Sequence, residues 1–179
     1  MKIISKLWNA VTTLLVTAVV VLAVLLAGVR VLGLQVYTVL SGSMEPAYPT
    51  GSLIYVKDVD YRELEAGDVI TFYLDGNVVA THRIVEVVAD EADASSVHYR
   101  TKGDANSVAD GALVHCQKVI GSPVFTIPYL GYVANYIQRP PGLYLAVSLG
   151  AALILLVFLP DLFAGSKGKK TPKGGKYLK

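Results

Sequence analysis

The sequence predicts a mostly β domain flanked by two transmembrane α-helices. Three observations predict this class. Leu7 to Val29 and Gly142 to Leu159 contain no charged side chain over 23 and 18 positions, each long enough to cross a bilayer core of about 30 Å. Between them, short runs rich in Val, Ile, Thr and Tyr alternate with Gly, Asp and Asn clusters, the pattern of strands and turns. Charge is partitioned in the same way. Gln35 to Pro140 carries 13 acidic and 7 basic residues, whereas the two ends carry 9 basic residues and only Asp161.

Residues 1–6 form a short basic N-terminus with Lys2 and Lys6, and residues 7–34 a transmembrane helix. The apolar region of a cleavable signal peptide covers about 7–15 residues, so this longer run is expected to be an uncleaved anchor. Arg30 can extend to the headgroups at its far end. Residues 35–140 form the extracytoplasmic β-rich domain. Ser52–Val56 reads as a strand, Ala66-Gly67-Asp68 as a turn and Val69–Leu74 as a second strand. Asp75-Gly76 is a hairpin signal, and Val78–Val88 is the returning strand. Alternation puts Ala80, His82 and Ile84 on one face and Thr81, Arg83 and Val85 on the other. Asp90–Ser96 is a surface loop. Val97–Thr101 and Ala112–Ile120 are further strands that flank a Gly- and Asp-rich turn region. Tyr129, Tyr132, Tyr136 and Tyr144 gather where the chain returns to a bilayer interface. Residues 142–159 form the second span. Residues 160–179 form a basic tail with six lysines, whose composition suits disorder.

Topology follows from charge. Basic ends stay on the cytoplasmic side, which places the β domain opposite. An acidic middle argues against nucleic acid as a partner. Cys116 is the single cysteine, so neither an intrachain disulfide nor a zinc cluster is available.

Ser41-Gly42-Ser43-Met44-Glu45-Pro46 follows the first apolar run and is the stretch that organises the chain. Its hydroxyls need a base to become nucleophilic. His82 lies on the strand face expected to point inward, whereas His98 and His115 read as structural. An imidazole base works best with a carboxylate on its other nitrogen. Asp104 and Asp110 share one Gly-rich turn region, and spacing alone selects neither.

These segments, in their order, resemble the type I signal peptidases. The resemblance rests on the Ser41–Pro46 box, Gly67-Asp68-Val69-Ile70, Thr81-His82-Arg83-Ile84-Val85, Lys102-Gly103-Asp104-Ala105-Asn106 and Ile127-Pro128-Tyr129-Leu130-Gly131. It covers roughly Val36 to Tyr132. His82 stands where relatives of the bacterial general-secretion type carry lysine, as in the endoplasmic-reticulum and archaeal branch. Ala105 departs from the usual Gly-Asp-Asn-Asn run.

The resemblance implies a domain of coiled antiparallel β-sheet and a membrane-bound serine endopeptidase that cleaves signal peptides from exported preproteins. It implies Ser43 as nucleophile, His82 as general base, Asp110 as the triad carboxylate and Asp104 as a second important aspartate. It also implies an oxyanion hole from the Ser43 N–H and the Ser41 hydroxyl. No metal or organic cofactor is expected. The expected partners are signal peptides, the lipid bilayer and translocon or companion subunits. A prokaryotic plasma membrane is the expected location. Leu53–Val56 and Val78–Ala80 are the expected walls of small apolar substrate pockets. Two other readings are a catalytically silent scaffold subunit and a cysteine transpeptidase using Cys116.

Overall fold

The computed structural model describes residues 2–74, 76, 78–90 and 96–164. Asp75 of the hairpin signal, most of the Asp90–Ser96 loop and the tail lysines lie outside the described residues. The chain divides into two units, Val21–Leu143 and Met1–Val20 with Tyr144–Lys179.

The N-terminal apolar run forms helix α1, Lys2–Leu26. Leu7, Leu14, Val20 and Val24 on it are all exposed. The helix expected to reach residue 34 stops earlier. A 3₁₀ turn over Gly28–Leu32 follows, and Gly33 closes it in the left-handed conformation at φ 75°. A continuous apolar run does not itself distinguish helix from strand. Leu34–Thr38 accordingly emerges as strand β1, which the sequence reading had not separated from its neighbours.

The remaining strands are β2 (Leu53–Lys57), β3 (Val69–Tyr73), β4 (Val79–Ala89), β5 (Val97–Lys102), β6 (Val114–His115) and β7 (Val119–Ile127). They make one seven-stranded sheet in the order β1-β2-β7-β3-β4-β5-β6, antiparallel throughout. The strand expected over Ala112–Ile120 is divided. The His115 side chain accepts the Gln117 N–H at 3.1 Å and starts a 3₁₀ turn over Cys116–Lys118, after which β7 begins.

Register irregularities at Tyr55/Val56, Thr71/Phe72 and Ile84/Glu86 curl the sheet, because a bulge bends its strand and increases local twist. Gly121, at φ 151°, sits where β7 passes from one neighbour to the other. A β-carbon there would collide with the Lys57 carbonyl, so only glycine fits. Pro123 pairs opposite Val56 beside the first irregularity, a place where the missing N–H is tolerated.

The curl divides the core. Ile70, Phe72, Ile84, Tyr99, Val114 and Cys116 form one cluster with Leu64. Strand β2 is buried on both faces. Leu53 and Tyr55 pack with Ala134 against Leu26 and Val29, while Ile54 and Val56 pack with Ile120 against Tyr37, Val39 and Val79. Each fully buried side chain of this size is worth about 1.5–3 kcal/mol. The Tyr99 hydroxyl donates to the Tyr61 carbonyl at 2.6 Å, and burial pushes its pKa up to about 12.

Helix α2, Leu130–Ile137, buries Gly131 and Ala134 and exposes Tyr132 and Tyr136. Helix α3 runs Gly142–Ala164. Among the described residues one helix, Ser5–Leu26, is long and apolar enough to cross a membrane, with a second span only if α2 and α3 count as one broken span.

Candidate active site

The loop between β1 and β2 carries the Ser41–Pro46 box. Its base is closed by Val39 N–H to Ser52 O and Gly51 N–H to Val39 O, both 2.9 Å. A turn from Gly42 O to Glu45 N–H, and Tyr48 N–H donating to Met44 O, fold it back on itself. Met44 is its anchor, 2% exposed. Gly42 does not adopt a left-handed φ, and a β-carbon there would meet the Glu45 carboxyl at 3.4 Å, an ordinary contact.

Strand β4 carries His82 opposite Ile70 of β3. Alternation puts it on the same face as Ile84, and the Phe72 ring meets it edge-on at 6.3 Å. Asp110 lies on the loop after β5. The loop is pinned by Asp110 N–H to Thr101 O at 2.8 Å.

These three elements bring Ser43, His82 and Asp110 into one chain of hydrogen bonds. His82 Nδ1 is 2.6 Å from Asp110 Oδ2, and His82 Nε2 is 3.2 Å from Ser43 Oγ. A carboxylate only accepts, so Nδ1 carries the proton and Nε2 presents its lone pair to the Ser43 hydroxyl. The same Asp110 oxygen accepts from Thr101 Oγ1 at 2.7 Å. The His82 and Asp110 side chains are 15% and 27% exposed, enough to shield the pair while leaving one edge open. Ser41 Oγ lies 3.3 Å from Ser43 Oγ.

Asp104 occupies a different position. Its carboxylate accepts two parallel bonds from Arg83, Nε to Oδ1 at 2.8 Å and Nη2 to Oδ2 at 2.7 Å. Arg83 also donates to the Gly67 carbonyl at 2.7 Å. The guanidinium holds the Asp104 carboxyl below its ordinary pKa, and Asp104 in turn raises that of Arg83. The Asp104 loop is tied to the Ser43 loop by backbone contacts. Ala105 N–H donates to Ser43 O at 2.9 Å, and Asp104 N–H points at Met44 Sδ at 3.4 Å. Gly103 passes beneath Ser43 with no room for a side chain.

Sequence reasoning missed Thr101, Gly103 and Arg83. Thr101 and Arg83 read as ordinary strand positions, and Gly103 as one more turn glycine. The other histidines stand apart. Asp90, His98 and His115 place ligand-type atoms within 4.8 Å of one another at the β5–β6 edge. His115 there bonds Gln117 N–H and lies 2.9 Å from Ser96 Oγ. Cys116 is buried in the core, its sulfur 3.5 Å from Ser96 Oγ.

A cleft of about 630 Å³ opens beside Ser43 and His82. Its apolar walls come from Val39, Leu40, Met44, Ile54 and Val78–Ala80. The expected wall Val78–Ala80 is present. From β2 Ile54 lines the cleft, whereas alternation turns Leu53 and Tyr55 to the opposite face and Val56 is buried against Ile120.

Residues 11–110 match the family described as signal peptidase, peptidase S26. Signal peptidase I W of Bacillus subtilis (strain 168) is 48% identical over 90 residues, covering 50% of this chain and 46% of that protein. The match therefore spans about half of that relative's length. The signal peptidase complex catalytic subunit SEC11C of Rattus norvegicus is 31% identical over 130 residues, 68% of this chain and 67% of the relative. The catalytic subunit SEC11 of Verticillium alfalfae is 35% identical over 117 residues, 60% and 66% of the two chains. A sheet that seats a serine, a histidine and an aspartate in one hydrogen-bonded line, together with these matches, leads to one conclusion: the chain belongs to the signal peptidase family, peptidase S26.

Proposed function

We propose that this protein is a membrane-anchored serine endopeptidase that removes N-terminal signal peptides from exported preproteins. The observation that carries the reading is the continuous Ser43–His82–Asp110 line, at 3.2 and 2.6 Å. Ser43 Oγ attacks the scissile carbonyl carbon while its proton passes to His82 Nε2. Asp110 stabilises the resulting imidazolium and fixes the ring. The Ser43 N–H and the Ser41 hydroxyl stabilise the oxyanion. His82 then protonates the departing amine, leaving an ester on Ser43. A water gives a proton to His82 as it attacks the ester, and His82 returns that proton to Ser43 Oγ as the ester bond breaks and the acid leaves. Asp104 acts at one remove: its fork with Arg83 fixes the strand beside His82 and the loop beneath Ser43. Cleft walls built around Ala80, Val79 and Ile54 suit the small side chains at signal-peptide cleavage sites.

The reading extends to location. Helix α1 anchors the enzyme in a prokaryotic plasma membrane, and a second span over residues 142–159 returns the basic tail to the cytoplasm. The apolar helices and the charge partition support this. Companion subunits belong to the same proposal, supported by the designation of eukaryotic relatives as catalytic subunits of a complex.

The test is cleavage of a model preprotein by the full chain in detergent or liposomes. Ser43→Ala should lower the rate by at least about 10⁴-fold, and Cys116→Ser should leave it nearly unchanged. A folded Ser43→Ala protein that still cleaves would remove the reading.

A further inference from the structure

The geometry points to a binding site for the phosphate of an anionic phospholipid between Arg30 and Arg139. The protein has five arginines. Arg62, Arg83 and Arg100 each pair with a carboxylate, Asp60, Asp104 and Glu86 respectively. The guanidinium groups of Arg30 and Arg139 make no hydrogen bond or ion pair among the described residues, and both residues line one groove of about 270 Å³. Asn135 and Gln138 add amide donors to its wall, and among the described residues no acidic side chain lines it. Arginine forks match phosphate oxygens, and two of them with neutral amides make a site for a single negative group. The basic end of a signal peptide carries the wrong charge for it.

Position selects the source of that phosphate. This inference rests on the membrane anchoring proposed above. Arg30 lies four residues beyond the end of α1 at Leu26, so chain length alone keeps it at headgroup depth. Arg139 follows α2, whose Tyr132 and Tyr136 are exposed as interfacial tyrosines are. Pockets that enclose whole small molecules measure about 300–1,000 Å³. The groove is smaller, which suits a headgroup whose acyl chains remain in the bilayer. Its wall includes Tyr37, Thr38 and Leu40, which also line the catalytic cleft, so a bound headgroup would brace β1 from the side away from substrate.

Native mass spectrometry of the full chain in detergent tests this without reference to cleavage, so its failure leaves the peptidase reading standing. Wild type should retain phosphatidylglycerol at least about tenfold more strongly than phosphatidylcholine, the effect of one charge-assisted bond. Arg30→Gln/Arg139→Gln should lose that preference. Arg62→Gln/Arg100→Gln, which removes the same charge elsewhere, should keep it. Sodium phosphate should not displace the lipid. Equal retention of the two lipids by wild type overturns the proposal even if the Gln pair fails to fold. A preference that survives in Arg30→Gln/Arg139→Gln, or one that the control pair also loses, overturns it too. Displacement by sodium phosphate would assign the groove to a free anion instead.

Discussion

Gly103 lies against the underside of Ser43: a β-carbon built on it would come to 2.5 Å from the Ser43 carbonyl oxygen and 3.0 Å from the Ser43 Cβ. Both contacts are with the Ser43 backbone or its Cβ, so neither can yield by side-chain rotation. Gly103→Ala should lift Ser43 away from His82. A displacement of about 1 Å can cost about 10²-fold in rate. The expected outcome is a kcat about 10²-fold lower with KM little changed. Wild-type turnover by a folded Gly103→Ala enzyme would show that the loop has slack.

Asp110→Asn should fold and be nearly inactive. The amide can present its NH₂ to His82 and favour the wrong tautomer, a loss of about 10⁴-fold in kcat. Thermal unfolding should stay close to wild type. If Asp104→Asn instead gives the large loss in turnover at unchanged stability, the two aspartates have exchanged roles.

Thr101 is fully buried and shares an Asp110 oxygen with His82. Thr101→Val keeps the shape but removes the donor, leaving the carboxylate free to turn. We expect kcat to fall about tenfold, as loss of one charge-assisted hydrogen bond would give. Thr101→Ser should restore most of it. Failure of serine to rescue would mean that the methyl group matters and not the hydroxyl.

Acid should loosen the Asp104–Arg83 pair. Arg83 lowers the folded-state pKa of Asp104 below the ordinary 3.8. The stabilisation is therefore complete above about pH 4 and is lost as pH falls through the still lower folded value. Asp104→Asn should be less stable than wild type at pH 7, and the gap should narrow below pH 4. A gap that is constant with pH would show that the carboxylate charge contributes nothing.

Much of this site could be read from the chain because its chemistry is local in sequence. Ser43 stands in a six-residue box, and His82 follows a hairpin on an alternating strand. What could not be read depends on distant contacts. Asp104 and Asp110 sit in the same kind of turn, and only the register of β5 gives Asp110 to His82 and Asp104 to Arg83. Thr101 looks like any strand threonine until the loop folds over it. In the fold, β1 was not read as a separate strand, because Leu34–Thr38 is only five residues long and lies between the end of the apolar run and the Ser41–Pro46 box. Strand β7 was hidden by Gly121-Ser122-Pro123, a turn-like string that the bulge beside Val56 accommodates.

The sheet order also sets when this enzyme can act. Strand β7 is the last in the chain yet pairs with both β2 and β3, so it joins the strand that follows the Ser43 loop to the strands that carry His82 and lead into the Asp110 loop. Without β7 the paired strands fall into two fragments, β1-β2 with the Ser43 loop and β3-β4-β5-β6 with His82. On the proposed reading, proteolytic competence therefore depends on the finished sheet. On the reading proposed above, a chain still lacking residues 119–127 would carry its serine and its histidine on sheet fragments that no strand joins.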